Sequence, residues 1–455
     1  MPATITRRTT KRTALRKDKA YVLALAKEHD VRFIRLWFTD ILGFLKSFAI
    51  TIDDLEKALE EGMTFDGASI EGFARIDESD MLALPDPNTF VILPWRPREN
   101  AVARMFCDLC LPGGRSFEGD PRQVLKRNLA QAAKLGYTFY VGPELEFFFF
   151  KSAEAALPID AGGYFDLTPL DAASDLRREI ILSMEEMGVG VEFSHHEVAP
   201  SQHEIDFRYT DALTMADNVM TYRLTVKEIA FKRGFYATFM PKPLADKNGS
   251  GMHVHVSLFR GERNAFFNGK DALRLSNTAR QFLAGLLTHA PEITLVLNQW
   301  VNSYKRLVPG YEAPVYATWA KRNRADLVRV PTFKAGKEAS ARLELRSPDP
   351  ACNPYLAFSV ILAAGLEGIA KKYALPAPTE ENVFALSEAE RTRRGIRTLP
   401  GSLAEAIELA EGSALLRRAL GDHVLESFLQ NKKIEHDRVR RAVTDYEIKT
   451  YLPLL

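Results

Sequence analysis

Residues 141–150 read VGPELEFFFF, and the order of these residues decides how the chain folds around its site. Alternate residues of a β-strand face the same side of a sheet, so Glu144 and Glu146 share one face while Leu145 and Phe147 pack behind them. The run of phenylalanines predicts a strand that is buried on both faces. Because unpaired carboxylates are costly in such surroundings, the two glutamates predict a functional site on a buried sheet.

Three later segments present further potential metal ligands with the same alternation. They are HHEVAPSQHEID at 195–206, NGSGMHVHVSLF at 248–259 and ARLELRSPDP at 341–350, and they contribute Glu197, Glu204, His253 and Glu344. The alternation also places Arg342 and Arg346 on the same face as Glu344. A carboxylate between two guanidinium groups is typical of a site that binds both a metal and anions.

The charge of these ligands predicts which ions they bind. Five carboxylates in one cavity would repel one another unless cations neutralise them, and one divalent ion is not enough for so much charge. Oxygen-rich ligation with a single imidazole favours Mg²⁺ or Mn²⁺ over Zn²⁺. Two such ions are suited to phosphoryl transfer, and the nearby Arg306, Arg324 and Arg329 suit carboxylate and phosphate ligands.

The composition narrows the class of protein. With 455 residues, of which 46% are hydrophobic, the chain should fold as more than one domain. Lys and Arg number 60 against 59 Asp and Glu, and the net charge of +1 gives no electrostatic reason to expect a nucleic-acid partner. We therefore expect small-molecule substrates.

Hydropathy and cysteine content indicate the compartment. No apolar run approaches the roughly 20 residues that cross a bilayer, and the basic start of the chain lacks the apolar centre of a signal peptide. Three cysteines are an odd number and form no disulfide framework. These features predict a cytoplasmic protein without a membrane partner.

The order of the segments predicts an α+β fold. Residues 1–17 are expected to be a basic disordered tail, and residues 18–115 a small domain with a β-hairpin over 31–51. Residues 120–455 predict a large domain on a mainly antiparallel sheet with helices. The amphipathic end of the chain, 439–455, is expected to pack either on a partner subunit or on its own domain.

In this order the motifs resemble those of class I glutamine synthetase, from about Asp18 to Leu455, with FDGASIEGF at 65–73 and NSYKRLVPGYEAP at 302–314 adding to the match. The resemblance implies ATP-dependent ligation of ammonia to glutamate through γ-glutamyl phosphate. It also implies a β-grasp domain at 18–115, a catalytic domain at 120–455 and a homo-dodecamer with active sites shared between subunits.

The resemblance implies a role for each site residue. Glu146, Glu197 and Glu204 match the ligands of one cation, and Glu144, His253 and Glu344 match those of a second. Asp66 matches a carboxylate that reaches across the subunit interface and helps to deprotonate ammonium, Glu312 matches a glutamate that closes the site, and Arg324 matches a catalytic arginine. The implied glutamate contacts are His195, Asn248, Gly249, Arg306, Glu312, Arg324 and Arg346. The implied ATP contacts are Glu192, His255, Ser257, Arg324, Arg329 and Arg342.

Three positions bear on regulation and substrate binding. Ala68 stands where the family usually has a serine, which removes one hydroxyl from the Asp66 loop. Phe384 stands where adenylylated members carry a tyrosine, so that modification has no phenol to use. Arg75 matches an arginine that α-type members use for feedback inhibition by glutamine, and its alternative role is a salt bridge in an acidic loop.

Two alternatives to glutamine synthesis remain open at this point. The chain also looks like relatives that attach glutamate to a larger amine, such as a polyamine or ethanolamine, by the same acyl-phosphate chemistry. The second alternative is a catalytically dead member with a structural or regulatory role. The presence of all six potential ligands argues against the last of these.

Overall fold

Two β-sheets with helices packed against them organise the chain. The computed structural model describes residues 17–68, 70, 72, 80–323 and 325–455. The strands, helices and strand pairings are those of this described part of the chain.

The first sheet contains the predicted hairpin. Its strands are β1 (Val31–Thr39), β2 (Leu45–Thr51), β3 (Met63–Asp66), β4 (Asp80–Pro85), β5 (Val91–Ile92) and β6 (Ala101–Cys110). They lie in the order β2-β1-β6-β4-β3 with β5 also on β6, and only β1 and β6 are parallel. Strand β5 is short, because a 3-10 turn occupies 87–89 and pairing ends before Pro94.

The second sheet is larger and carries the site. Its strands are β7 (Thr138–Phe150), β8 (Val191–His196), β9 (Gln202–Phe207), β10 (Thr210–Asp211), β11 (Tyr236–Thr238), β12 (Met252–Arg260), β13 (Arg263–Asn264), β14 (Trp319–Ala320), β15 (Val328–Arg329) and β16 (Leu343–Leu345). The main order is β14-β15-β16-β12-β7-β9-β8, and only β14 and β15 pair in parallel. The predicted α+β class with a mainly antiparallel sheet is therefore confirmed.

The helices pack against both sheets, with the first two helices on the first sheet. They are α1 (Lys19–Glu28), α2 (Leu55–Glu61), α3 (Pro121–Lys134), α4 (Ser174–Glu186), α5 (Ala212–Lys232), α6 (Asn277–Leu297), α7 (Ser303–Arg306), α8 (Pro354–Ala370), α9 (Glu388–Arg393), α10 (Leu403–Glu411), α11 (Ala414–Leu420), α12 (Asp422–Arg441) and α13 (Asp445–Tyr451). Asp120 caps α3 and Asn353 caps α8, and in both a proline follows the capping residue.

A buried ionic network joins the two sheets. Arg122 of α3 binds Asp217 of α5 and also Asp86 and Asp108 of the first domain, with N–O distances of 2.7–3.0 Å. Arg104 of β6 donates to Thr221 of α5 at 3.2 Å. Removing one partner of such a network would leave buried charges uncompensated, so these contacts fix the first sheet against the second.

The three cysteines are unpaired, and the apolar end of the chain is exposed. Cys107, Cys110 and Cys352 are all buried and unpaired. No helix in the described part of the chain is long and apolar enough to cross a membrane. The apolar residues after α12 are exposed, with Leu452 at 74% and Leu454 at 76%. The structure thus does not pack this segment on its own domain.

Helices α6 and α8 approach closely at glycines. A Cβ on Gly285 would lie 2.2 Å from the carbonyl oxygen of Ala364 and 3.1 Å from the Cα of Gly368. The obstructing atoms are backbone, so they can yield only if a helix moves. Because α8 begins soon after the strand that carries Glu344, this contact also supports the position of the site.

We predict that Gly285→Ala lowers the thermal midpoint of unfolding by a few degrees, since overpacking a core costs about 1–3 kcal/mol. The matched control is Gly412→Ala, because Gly412 has a φ of −80° and no atom within 4 Å of an added Cβ. Equal midpoints for the two variants in scanning calorimetry would contradict the close packing of α6 on α8.

Candidate active site

The register of β7 with its two neighbours gathers the predicted ligands. Glu144 lies opposite His253 of β12 on one side and Asp206 of β9 on the other. Glu146 lies opposite Glu204 of β9. Since directly opposed residues have their side chains on the same face of a sheet, the carboxylates and imidazoles converge.

We call Glu144, His253 and Glu344 cluster A. Their potential ligand atoms all lie within 4.8 Å of one another. Glu344 is fully buried and its two oxygens pair with Arg329 and Arg346, one on each side. Burial alone would raise the pKa of Glu344, but the nearby His255 and Arg346 outweigh it and lower the pKa. Glu344 is therefore held as a carboxylate.

A chain of hydrogen bonds orients cluster A. Arg342 Nε donates to His255 Nδ1 at 3.1 Å, so Nδ1 accepts, and His255 Nε2 donates to Glu144 at 2.6 Å. Burial would raise the pKa of Glu144, but His255 and His253 hold it well below its ordinary value. Burial, followed by Arg346, lowers the pKa of His253 to about 4. A neutral imidazole beside ionised carboxylates is the donor set that a divalent cation requires.

We call His195, Glu197 and Glu204 cluster B. Their potential ligand atoms also lie within 4.8 Å of one another, and His195 is 3.5 Å from Glu197 and 3.4 Å from Glu204. Burial, then Asp206 and Glu146, raise the pKa of Glu204 well above its ordinary value. Carboxylates that repel one another in this way favour a bound cation.

Glu146 lies between the clusters. The resemblance groups it with Glu197 and Glu204 of cluster B. Its Oε1, however, is 4.0 Å from Nε2 of His253 in cluster A. Its Oε2 accepts hydrogen bonds from Gln202 at 2.8 Å and from Gly251 at 3.0 Å. Burial, followed by Glu197, raises its pKa to about 8. Glu146 is thus within reach of both clusters.

A third group, Asp160, His196 and His203, has ligand atoms equally close together. Arg177 lies 2.8 Å from His203 Nδ1, and because a guanidinium only donates, the proton of the ring is on Nε2. Because Nε2 carries the proton, it has no free lone pair with which to bind a metal. Asp160 instead accepts from Ser201 at 2.7 Å and contacts His196 at 3.2 Å, so this group is a structural network beneath cluster B.

A cavity of about 190 Å³ opens beside cluster A. Among its lining residues are the implied ATP contacts Glu192, His255, Ser257 and Arg342, and also Glu144. Aromatic and acidic residues that the sequence analysis missed line it as well: Tyr140, Phe193, Phe207, Tyr209 and Asp206. Charged groups next to aromatic rings match the phosphates and base of a nucleotide.

Two of the implied glutamate contacts, Arg306 and Gly249, lie close to Glu146, since Gln202 Nε2 donates to both Glu146 Oε2 at 2.8 Å and the Gly249 carbonyl at 3.1 Å. Arg306 is buried and donates to the carbonyl groups of Ser347 at 2.8 Å and Arg346 at 3.1 Å. A Cβ on Gly249 would lie 2.3 Å from the carbonyl oxygen of Pro241 and 3.1 Å from the Arg306 side chain. Only glycine fits there, and the half-buried Asn248 precedes it.

Two predicted residues that the structure describes are not brought into these clusters. Asp66 ends β3 of the first sheet, is exposed, and accepts a hydrogen bond from Ala68 N at 2.9 Å. Glu312 is exposed on a turn and has a φ of 55°. Arg324 and Arg75 lie outside the described residues.

Two kinds of site residue were missed by sequence reasoning. Asp206 stands two positions after Glu204, so the alternation rule applied to β9 would have found it. Tyr164 and Phe165 pack edge-on against His195, with ring centroids 5.2 and 4.8 Å away. They lie on an irregular segment, where no periodicity marks them.

Comparison with known proteins assigns both domains. The model of the glutamine synthetase β-grasp domain matches residues 30–112, and that of the glutamine synthetase catalytic domain matches residues 118–451. The expected β-grasp fold of the first domain is thereby confirmed.

Curated relatives match along the whole chain. The glutamine synthetase of Mycolicibacterium smegmatis is 54% identical over 444 residues, which cover 96% of this chain and 100% of that protein. The glutamine synthetase of Mycobacterium tuberculosis is 52% identical with the same coverage. That of Thermotoga maritima is 50% identical, covering 94% of this chain and 98% of that protein.

Solved structures agree with these matches. The ADP complex of GmaS superposes with a TM-score of 0.86 at 33% identity, over 96% of this chain and 100% of that one. The glutamine synthetase of Plasmodium falciparum reaches a TM-score of 0.85 at 24% identity, over 95% of this chain and 98% of that one, which shows the fold alone. With both domains matched and half of its residues identical to those of curated relatives, this chain belongs to the glutamine synthetase family.

Proposed function

We propose that the protein ligates ammonia to L-glutamate at the expense of ATP, through γ-glutamyl phosphate, and releases glutamine, ADP and phosphate. The observation that carries this proposal is cluster A beside the cavity, with cluster B adjoining it, in a chain whose curated relatives are glutamine synthetases. Phosphoryl transfer depends mainly on positioning and charge neutralisation, which these groups are suited to supply.

The donor set fits two divalent cations per site, Mg²⁺ or Mn²⁺. Glu144, His253 and Glu344 would hold one beside the cavity, and Glu146, Glu197 and Glu204 the other. Carboxylate oxygens with one imidazole are ligands that these ions accept. When bound, the ions would neutralise charge on the phosphate groups and on the acceptor carboxylate.

The chain's own residues orient and activate the substrates. Arg329 and Arg346 flank Glu344, and Arg342 lines the cavity, so they are suited to neutralise the transferring phosphoryl group together with Arg324. Buried Arg306 and the tight turn at Gly249 would orient glutamate, with Asn248 and His195 beside it. Glu192, His255 and Ser257 would contact ATP.

Proton removal from ammonium is assigned to Asp66 of a neighbouring subunit, with Glu312 closing the site. Asp66 is exposed on the first sheet, away from the clusters of its own subunit, as a residue that completes a neighbour's site would be. Covering the acyl phosphate with Glu312 would keep water away from it.

The assembly we propose is a homo-dodecamer without nucleic-acid or membrane partners. The exposed apolar residues at the chain end offer a surface for a second subunit. Three buried, unpaired cysteines are consistent with the reducing cytoplasm. Feedback inhibition by glutamine through Arg75 remains a proposal from the resemblance, and Phe384 offers no phenol for adenylylation.

The first test measures phosphate release and product formation with Mg²⁺, ATP and glutamate, and compares ammonium with putrescine, spermine and ethanolamine. We expect turnover that depends on ammonium and yields glutamine. Products formed only with the larger amines would instead assign the chain to amine glutamylation, and the absence of ATP turnover with every amine would indicate a catalytically dead member.

The Asp66 and Glu312 assignments predict large losses of activity. Asp66→Asn should lower glutamine formation by about 10²–10⁴-fold, the range for a lost general base. Glu312→Gln should also lower it, because the site would no longer close over the acyl phosphate. Glu185→Gln on α4, an exposed acid away from the site, is the matched control. Co-assembly of Asp66→Asn subunits with Glu344→Gln subunits should restore part of the activity. Mixed oligomers as inactive as the parents would contradict a shared site.

The raised pKa values predict how the metal-free protein responds to pH. The pKa values of Glu146 and Asp206 are raised to about 8, mainly by burial, whereas unfolded carboxyls titrate near ~4. A carboxyl with a raised folded pKa stabilises the fold fully below the unfolded pKa and loses this contribution as pH rises through the folded pKa. The thermal midpoint of the EDTA-treated protein should therefore fall from about pH 6 to about pH 9.

Added Mn²⁺ should remove the fall in thermal midpoint that the metal-free protein shows at high pH. The rise in thermal midpoint that Mn²⁺ causes should therefore grow with pH. Scanning fluorimetry with EDTA and with Mn²⁺ across this range measures the effect. Glu146→Gln removes one of the repelling carboxyls and should flatten the pH dependence of the metal-free form. A metal-induced shift of equal size at every pH would count against the two clusters as metal sites.

A further inference from the structure

Lys242 is a buried cation on the segment that leads to the implied glutamate contacts. Only 6% of Lys242 is exposed. The side chain of Asn302 binds both backbone groups of Lys242. Asn302 Oδ1 accepts from Lys242 N at 2.7 Å, and Asn302 Nδ2 donates to Lys242 O at 3.0 Å. The start of the 241–250 segment is thus fixed to the residue just before α7.

The Lys242 ammonium group has two contacts that matter for the site. Its Nζ donates to the carbonyl oxygen of Lys247, at the far end of the same segment. The same Nζ lies 3.6 Å from the ring centroid of Tyr311. Burial lowers the pKa of Lys242, because it disfavours the charged form. The face of an aromatic ring opposes this effect by attracting the ammonium group.

The two contacts join the two segments on which glutamate binding and site closure depend. Lys247 directly precedes Asn248, and Tyr311 directly precedes Glu312. The Glu312 turn is otherwise exposed, with φ values of 95° at Gly310 and 55° at Glu312. A non-glycine residue in this conformation persists only if its surroundings hold it there.

We propose that Lys242 and Tyr311 are a positioning pair that couples the glutamate-binding segment at 247–249 to the closing turn at Glu312. Glutamate bound at Asn248 and Gly249 orders the Lys247 carbonyl, which keeps the ammonium group over the Tyr311 ring and so restrains the Glu312 turn. The catalytic part of this inference rests on the proposed function, whereas the contact itself does not.

The test is hydrogen–deuterium exchange of the amides in residues 308–313 of the intact protein, with and without glutamate plus ADP and Mg²⁺. Lys242→Met and Tyr311→Leu should each speed exchange of these amides about fivefold, which corresponds to losing a cation–π contact. Tyr311→Phe keeps the ring and is the matched control. Because the contact is shared, the double variant should exchange no faster than either single variant.

A second measurement compares the amount of phosphate released with the amount of glutamine formed. An open turn exposes the acyl phosphate to water, so both variants should release more phosphate than the glutamine they form, whereas the wild type releases the two in about equal amounts. Unchanged exchange in both variants, or additive effects in the double variant, would overturn the coupling. If the protein makes no glutamine, the proposed function fails, and the exchange measurement still decides whether the pair holds the turn.

Discussion

The site depends on the register between β7 and the strands on either side of it. In that register Glu144 opposes His253 and Asp206, and Glu146 opposes Glu204. A slip of one residue would turn every one of these side chains to the opposite face, into the apolar core. The phenylalanines that follow Glu146 are buried, and their packing makes that slip costly, so the same stretch of sequence fixes the core and aims the ligands.

The two clusters face each other across β7 but have opposite electrostatic surroundings. Cluster A has Arg346, Arg329 and His255 beside it, which keep its carboxyls ionised. Around cluster B, burial raises the pKa values of Glu146, Glu204 and Asp206, and neighbouring carboxyls raise them further. Cluster A is therefore preformed for a cation next to phosphates, whereas cluster B becomes fully charged only when a cation neutralises it.

The first domain is held to this sheet by the network around Arg122, yet its Asp66 is exposed and belongs to neither cluster of its own chain. The exposed Asp66 and the exposed chain end both indicate surfaces that a second subunit would cover. Rigid attachment of the first domain would let one subunit present Asp66 accurately to the site of its neighbour.

The sequence by itself determined the local features: the hairpin at 31–51, the alternation that put Glu144 and Glu146 on one face, and the family. These follow from the spacing of neighbouring residues. It missed the aromatic residues around His195. Only the tertiary structure decided that Glu146 lies between two clusters, that the proton of His203 is on Nε2, and that Lys242 meets Tyr311. Each of these depends on the distance between segments far apart in the chain and on how deeply they are buried, which local spacing does not encode.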